Sequence, residues 1–214
     1  MVTVFGTLGF TPEKFLPSLR HHAPIERVCV FHDADERSHE AAEEVAEHCS
    51  NIGLPCETIE VDAFDMLEAT KTIRDEVTEV DPSDVVFNIT GGTAVLTCAA
   101  LLTSVLEGLR AETTDLRDAS QPPEALPLMT MSYKELLTDA QRNVLSAIAE
   151  RNGKVSQRDL TDVLDLRKAT VSHHVKSLKE RGLVTGQRAE DARMEYLEVP
   201  PSADLLLEPA ARDE

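Results

Sequence analysis

The segment Asp84-Val-Val-Phe-Asn-Ile-Thr-Gly-Gly-Thr93 constrains the fold more than any other stretch of this chain. Val85, Val86 and Phe87 form a short apolar run of the kind found in a parallel strand covered on both faces. The run stops at uncharged polar residues and a glycine pair, and a long helical pattern begins at once. Gly91 and Gly92 allow a sharp turn and close approach of a ligand. The first N–H groups of the following helix lack intrahelical partners and suit an anion such as a phosphate. The same residues also fit an ordinary strand-to-helix turn capped by Thr90 or Thr93. Two familiar nucleotide loops are absent: there is no GxxxxGK[ST] and no GxGxxG, which argues against an NTPase or a dinucleotide enzyme.

Upstream and downstream of this segment, strand and helix patterns alternate. Strands are predicted at Val2–Phe5, Arg27–His32, Cys56–Val61, Asp84–Asn88 and near Arg110–Asp115, with a sixth at Leu126–Met131. Helices are predicted at about 11–21, 37–52, 64–80 and 93–109, the second closed by Gly53. This alternation predicts an α/β fold, a mostly parallel sheet with helices on both faces. Ligands of such sheets bind outside the carboxyl ends of the strands. Two loops there carry glycines and hydroxyls and are the candidate ligand-binding residues: Gly6, Thr7, Leu8, Gly9 and Phe10, and Asn88, Thr90, Gly91, Gly92 and Thr93. A third, His32-Asp-Ala-Asp35, reads mainly as a cap for the second helix and secondarily as a ligand contact. The fourth helix, Thr93–Glu107, carries one charge. A helix covering a sheet should show a polar outer stripe. Its near absence predicts a second buried face, against the same helix of another subunit across a two-fold axis or within the monomer.

Charge divides the chain. Overall it carries 21 basic and 39 acidic residues, net −18. Residues 1–137 have 9 and 25, net −16; residues 138–199 have 11 and 10, net +1; residues 200–214 are net −3. A near-neutral block in an acidic chain points to a nucleic-acid-facing domain. The abundance of carboxylates and the scarcity of lysine, 7 against 14 arginines, fit a protein adapted to high salt. Prolines between Gln121 and Pro127, and the stretch Tyr133–Thr138, mark the boundary. Residues 1–132 are read as one domain, 133–199 as a second and 200–214 as an acidic tail. No apolar run reaches membrane-span length and the N-terminus enters a strand pattern directly, so a cytoplasmic location with no membrane partner is expected. The four cysteines have no CxxC spacing and read as free thiols, the seven histidines form no HxxxH pair, and no metal site is expected.

The second domain reads as a winged helix-turn-helix. Thr138 caps a helix to Glu150, with Asn152-Gly153 at its end. Ser156 caps a short helix, Gln157–Leu164; Asp165–Lys168 turn; a third helix runs over about 169–181 to Gly182. Val171, Val175 and Leu178 recur at helical spacing and set its buried face. Strands at Leu183–Thr185 and Glu195–Val199 would form the wing. The candidate DNA-binding residues are Ser156, Gln157, Arg167, Lys168, Thr170, Ser172, His173, His174, Lys176, Ser177, Lys179, Arg188 and Arg193. Basic groups would meet phosphates and small polar groups the base edges of double-stranded DNA. A helical interaction module with a solvated charged face is the other reading of this pattern.

Gly6-Thr-Leu-Gly-Phe10 and Asn88-Ile-Thr-Gly-Gly-Thr93 resemble the loops of a CRISPR-associated Rossmann-fold (CARF) domain. Ser156–Leu160 and Ala169–Val184 resemble MarR- or ArsR-like winged helices. The combined order is similar to the CARF–winged-helix transcription regulators of the archaeal Csa type, and the composition to their haloarchaeal members. The resemblance implies a homodimer whose paired sensor domains bind a cyclic oligoadenylate, usually the tetra-adenylate, and reset the spacing of two recognition helices. It implies no other cofactor. Many family loops place a lysine after Gly-Gly-Thr, where this chain has Ala94. The resemblance therefore implies a ligand held mainly by backbone N–H groups, and a regulator with no catalytic residues. A ring nuclease using Thr7, Thr90 or Thr93, or a regulator sensing an unrelated metabolite, are the alternatives.

Overall fold

A computed structural model describes residues 1–115, 117–118, 120–128, 133–151, 155–188 and 194–207. It divides into two compact units, Met1–Tyr133 and Lys134–Glu214.

In the first unit the short apolar runs become β1 (Val2–Thr7), β2 (Ile25–His32), β3 (Cys56–Glu60), β4 (Val85–Asn88) and β5 (Arg110–Thr113). Helices α1 (Leu16–His21), α2 (Glu36–Asn51), α3 (Met66–Val77) and α4 (Ala94–Glu107) connect them. The sheet runs β3-β2-β1-β4-β5, all parallel, and ends with an antiparallel β6 at Glu124–Ala125. The sixth strand thus lies earlier than Leu126–Met131, of which 129–131 fall outside the described residues. The helix expected over 11–21 is two pieces, a 3-10 turn at Pro12–Lys14 and α1, because Pro12 and Pro17 each withhold an N–H.

Residues alternate across the sheet into two cores. Phe5, Phe31 and Phe87 meet with ring centroids 5.9–6.1 Å apart on the face covered by α3 and α4. Val4, Val28 and Val30 face the other way, towards Phe15, Leu19 and α2. Each buried large side chain contributes about 1.5–3 kcal/mol. The only charged residue of α4, Glu107, points inward to an ion pair with Arg74 of α3, both at most 6% exposed. The opposite side of α4 exposes Ala94, Cys98 and Val105 and half-exposes Leu101 and Leu102.

The chain passes β1, β2, β3 to one side and returns to place β4 on the other flank of β1. The strand order reverses there, which is where ligands of such sheets bind. Register pairs Gly6 with Asn88, so the two candidate loops leave the sheet side by side.

The second unit contains α5 (Asp139–Ala149), α6 (Gln157–Leu164), α7 (Lys168–Glu180), the antiparallel pair β7 (Thr185–Arg188) and β8 (Glu195–Glu198), and α8 (Pro201–Asp204). Thr138 and Ser156 each form a capping box. Val171, Val175 and Leu178 are buried with Val144, Ile148 and Leu160. The first wing strand starts at Thr185 and not at Leu183, because Leu183 and Val184 fill the core beneath the helix. Residues 152–154 and the wing tip at 189–193 lie outside the described residues. The start of the segment read as an acidic tail is folded: α8 forms and Ala203 and Leu205 are buried. Apolar residues at those two positions outweigh the local charge.

No helix among the described residues is long and apolar enough to cross a membrane, and no group of His, Cys, Asp or Glu among them is arranged to hold a metal ion.

Candidate ligand cleft and nucleic-acid interface

A cleft of about 280 Å³ opens at the carboxyl edge of the sheet beside the switch point. Of the candidate ligand residues, Gly9, Phe10, Thr90, Gly91, Gly92 and Thr93 line it, together with Thr11, Lys14, Asp33 and Ser38. Gly6, Thr7, Leu8 and Asn88 do not line it; they are buried beneath. Thr7 and Ser38 each bury a hydroxyl that has no hydrogen-bond partner among the described residues.

The two loops interlock. A Cβ on Gly91 would lie 2.5 Å from the Thr7 carbonyl oxygen and 3.0 Å from Leu8 Cα. Gly92 has φ +89°, which a side chain would strain. Thr93 caps α4, accepting from the Leu96 N–H at 3.2 Å, so the N–H groups of Ala94 and Val95 are left without intrahelical acceptors. Thr97 Oγ1 donates to the Gly91 carbonyl at 3.3 Å.

Asn88 holds this loop from below. Its Oδ1 accepts from the Thr90 N–H at 2.9 Å, and its Nδ2 donates to Ser18 Oγ and Thr114 Oγ1. Ser18 in turn donates to Glu112, whose other oxygen meets His22 Nε2 at 2.7 Å. Thr90 Oγ1 accepts from the Thr114 N–H at 2.7 Å. Asn88 thus fixes the conformation of this loop. Asn88→Ala should cost about 2–4 kcal/mol, since it strands several buried polar groups. Urea unfolding measures this, and an unchanged midpoint would mean that β4 and α4 hold the loop without it.

Cationic side chains lie near the cleft although position 94 is alanine. Lys14, on the 3-10 turn after β1, lines the cleft, and Arg37 of α2 places its guanidinium 4.0 Å from the centre of the Phe10 ring. Neither was singled out from the sequence, because both lie outside the two glycine loops, on the turn after β1 and on α2. The His32–Asp35 loop divides its two expected roles. Asp35 caps α2, accepting from the Arg37 N–H at 2.9 Å, while Asp33 lines the cleft.

On the second unit, Arg167, Lys168, Ser172, His173 and Lys176 are exposed on one side of α7, with Lys176 loosely paired to Glu180 at 3.8 Å. Thr170 and His174 are half-buried, and His174 Nδ1 lacks a partner among the described residues. Ser177 turns to α5, accepting from Gln141 Nε2 at 3.1 Å. Lys179 bridges to the wing, 2.7 Å from Glu195, with Gly186 packed against the pair. Ser156 is spent on its cap: its N–H and hydroxyl hold the Asp159 carboxyl below the usual range. Gln157 is half-buried; Arg158 beside it is exposed and was missed. Arg188 lies in β7, and Arg193 is outside the described residues.

Together these features define a two-unit protein built from a Rossmann-like domain and a winged helix-turn-helix. Residues 2–118 match the Csa3 CRISPR-associated Rossmann-like domain, and residues 137–193 match the MarR family. The first match spans more than half of the chain, and the chain belongs to the family of the Csa3 CRISPR-associated Rossmann-like domain.

No curated protein matches the chain. Among solved structures it is similar to the adhesin competence repressor AdcR from Streptococcus pyogenes, at 26% identity over 33% of this chain and 52% of that one, TM-score 0.30. It is also similar to BpsR from Bordetella bronchiseptica, at 29% identity over 34% and 51%, TM-score 0.31. MepR from S. aureus, solved bound to an oligodeoxyribonucleotide, is 20% identical over 34% and 55%, TM-score 0.32. The chain spans about half the length of these structures.

Proposed function

We propose that this protein is a ligand-responsive, DNA-binding regulator of CRISPR-associated genes whose paired sensor domains bind a cyclic oligoadenylate, most simply the tetra-adenylate. One observation carries the reading: the two glycine loops, Thr93 at the start of α4 and Lys14 line one cleft at the strand-order reversal. Backbone N–H groups, a helix start and a cation are the elements that hold phosphates. The exposed basic side of α7, in a unit matching the MarR family, supports double-stranded DNA as the second partner. The uncharged outer side of α4 supports the homodimer. Two copies each carrying −16 over residues 1–137 repel except where neutral surfaces meet. The ligand is bound and not cut, so the protein is a regulator and not an enzyme.

Calorimetric titration with cyclic tetra-adenylate, at moderate and high potassium chloride, tests this directly. The expected result is one ligand per two chains, together with a change in affinity for DNA upstream of the associated genes. A ligand acts only through its differential affinity for two states. Unchanged DNA affinity with ligand bound would refute the regulatory coupling, absence of heat would refute the sensor, and linear products would convert the reading to a ring nuclease.

A further inference from the structure

We infer that Glu195, at the start of the second wing strand, is a brake on DNA binding: it holds Lys179 of α7 in an ion pair across Gly186 and keeps that lysine from a phosphate. This rests on the reading of the second unit as a DNA-binding domain and assigns a limiting contact within it.

Lys179 stands where a phosphate contact is expected. An α-helix turns once in about 3.6 residues, so Lys179 falls about three turns after Lys168 on the same line of α7, with Ser172 beside that line. Lys168 and Ser172 are exposed on the side proposed for DNA. The Lys179 ammonium, however, lies 2.7 Å from a Glu195 carboxylate oxygen, the distance of a charge-assisted hydrogen bond. The two side chains are 29% and 41% exposed, so salt screens the pair less than it would a fully solvated one. Lys176 differs. It is 3.8 Å from Glu180, beyond hydrogen-bond reach, and both groups are well exposed.

The wing makes room for the pair. Gly186 of β7 pairs in register with Leu197, two residues beyond Glu195. A Cβ on Gly186 would collide with the Glu195 carboxylate and lie 2.6 Å from the Lys179 Nζ. The φ of Gly186 is not positive, so the backbone does not require glycine there; the ion pair does. To reach a phosphate Lys179 must leave Glu195 and uncover a carboxylate beside a polyanion. Lys179 therefore adds little to the number of phosphates the unit neutralises, although it lies on the same line as Lys168.

Fluorescence anisotropy with a short DNA duplex of mixed sequence, over a range of potassium chloride concentrations, tests this on the full-length protein. Phosphate contacts are independent of sequence, so no operator is needed. Glu195→Gln should raise affinity about three- to tenfold at moderate salt and steepen the log–log salt dependence by about 0.9, the increment of one further phosphate. Lys179→Gln alone should leave the slope unaltered, and Glu195→Gln in the Lys179→Gln background should leave it unaltered too. This cycle separates the pair from a general gain of positive charge. Gly186→Ala moves the pair aside without altering any charge. Its obstacles are the ends of flexible side chains, so the variant should fold and bind DNA more tightly. The brake is overturned if Lys179→Gln alone flattens the slope by about 0.9, since Lys179 would then already meet a phosphate. It is overturned equally if Glu195→Gln strengthens binding as much without Lys179, or if Gly186→Ala binds no more tightly than the unaltered protein. Absence of DNA binding by the unaltered protein and every variant would instead overturn the DNA-binding reading itself.

Discussion

Gly91→Val is expected to abolish ligand binding at attainable concentrations while leaving DNA affinity unchanged in the absence of ligand. The reason is that the atoms in the way are main chain. The added Cβ would lie 2.5 Å from the Thr7 carbonyl oxygen, 3.0 Å from Leu8 Cα and 3.1 Å from the Gly9 N. A side chain can swing aside; two loops packed backbone to backbone cannot separate without moving both walls of the cleft. Because the first carbon already collides, Gly91→Ala should show most of the effect. The stability loss should be about 1–3 kcal/mol, the range for overpacking a closed site. Affinity should fall by about a hundredfold or more, the order of loss that misplacing a positioned group by about 1 Å brings. Gly92→Ala is a useful contrast. Its nearest obstacle is Leu96 Cδ2, the end of a flexible side chain, and its cost comes chiefly from φ +89°. Calorimetry on both variants, alongside urea unfolding, separates a lost site from a lost fold. Unimpaired binding by Gly91→Ala would place the ligand away from these loops.

The difference between these two adjacent glycines shows what a sequence can and cannot convey here. The β4 run, its polar stop and the glycine pair follow from local chemistry, as do the caps at Thr138 and Ser156 and the buried spacing of Val171, Val175 and Leu178. These features are set within a few residues of one another. Which glycine touches the other loop depends on β1 and β4 being neighbours, and only the topology establishes that. The same limit hid Lys14 and Ser38. Their elements converge on the cleft because the chain reverses its strand order, and no spacing along the chain signals it. The bonds of Asn88 to Ser18, Thr114 and Thr90 were equally hidden, because they join residues far apart in the chain. On α7 helical periodicity separated the buried face but could not reveal that Ser177 and Lys179 are taken up by α5 and the wing.

Arg74→Ala should produce the largest loss of stability, about 3–5 kcal/mol, because it removes the guanidinium beside a buried carboxylate. The ion pair joins α3 to α4 where both helices are closed to solvent, with Arg74 4% and Glu107 6% exposed. Its attraction in that setting largely offsets the desolvation of its members. The pair is therefore a poor source of net stability but a strong penalty when broken. Replacing both members together, as Arg74→Met with Glu107→Leu, should recover most or all of the loss. The double-mutant cycle by urea unfolding, with an unchanged slope, gives the coupling directly. A small cost for the single variant would mean that water reaches Glu107. The pair also bears on assembly. Glu107 is the one charge α4 carries, and turning it inward leaves the helix's outer stripe of Ala94, Cys98, Leu101 and Val105 without charge on a strongly acidic unit. If that stripe joins two copies, Val105→Asp should convert the dimer to a monomer in light scattering while leaving the unfolding free energy per chain, extrapolated to low concentration, nearly unaltered. Arg74→Ala, acting on the opposite side of the same helix, should instead destabilise the unit before it affects association. The order of these two effects distinguishes a helix that is buried twice from one whose outer face merely tolerates water.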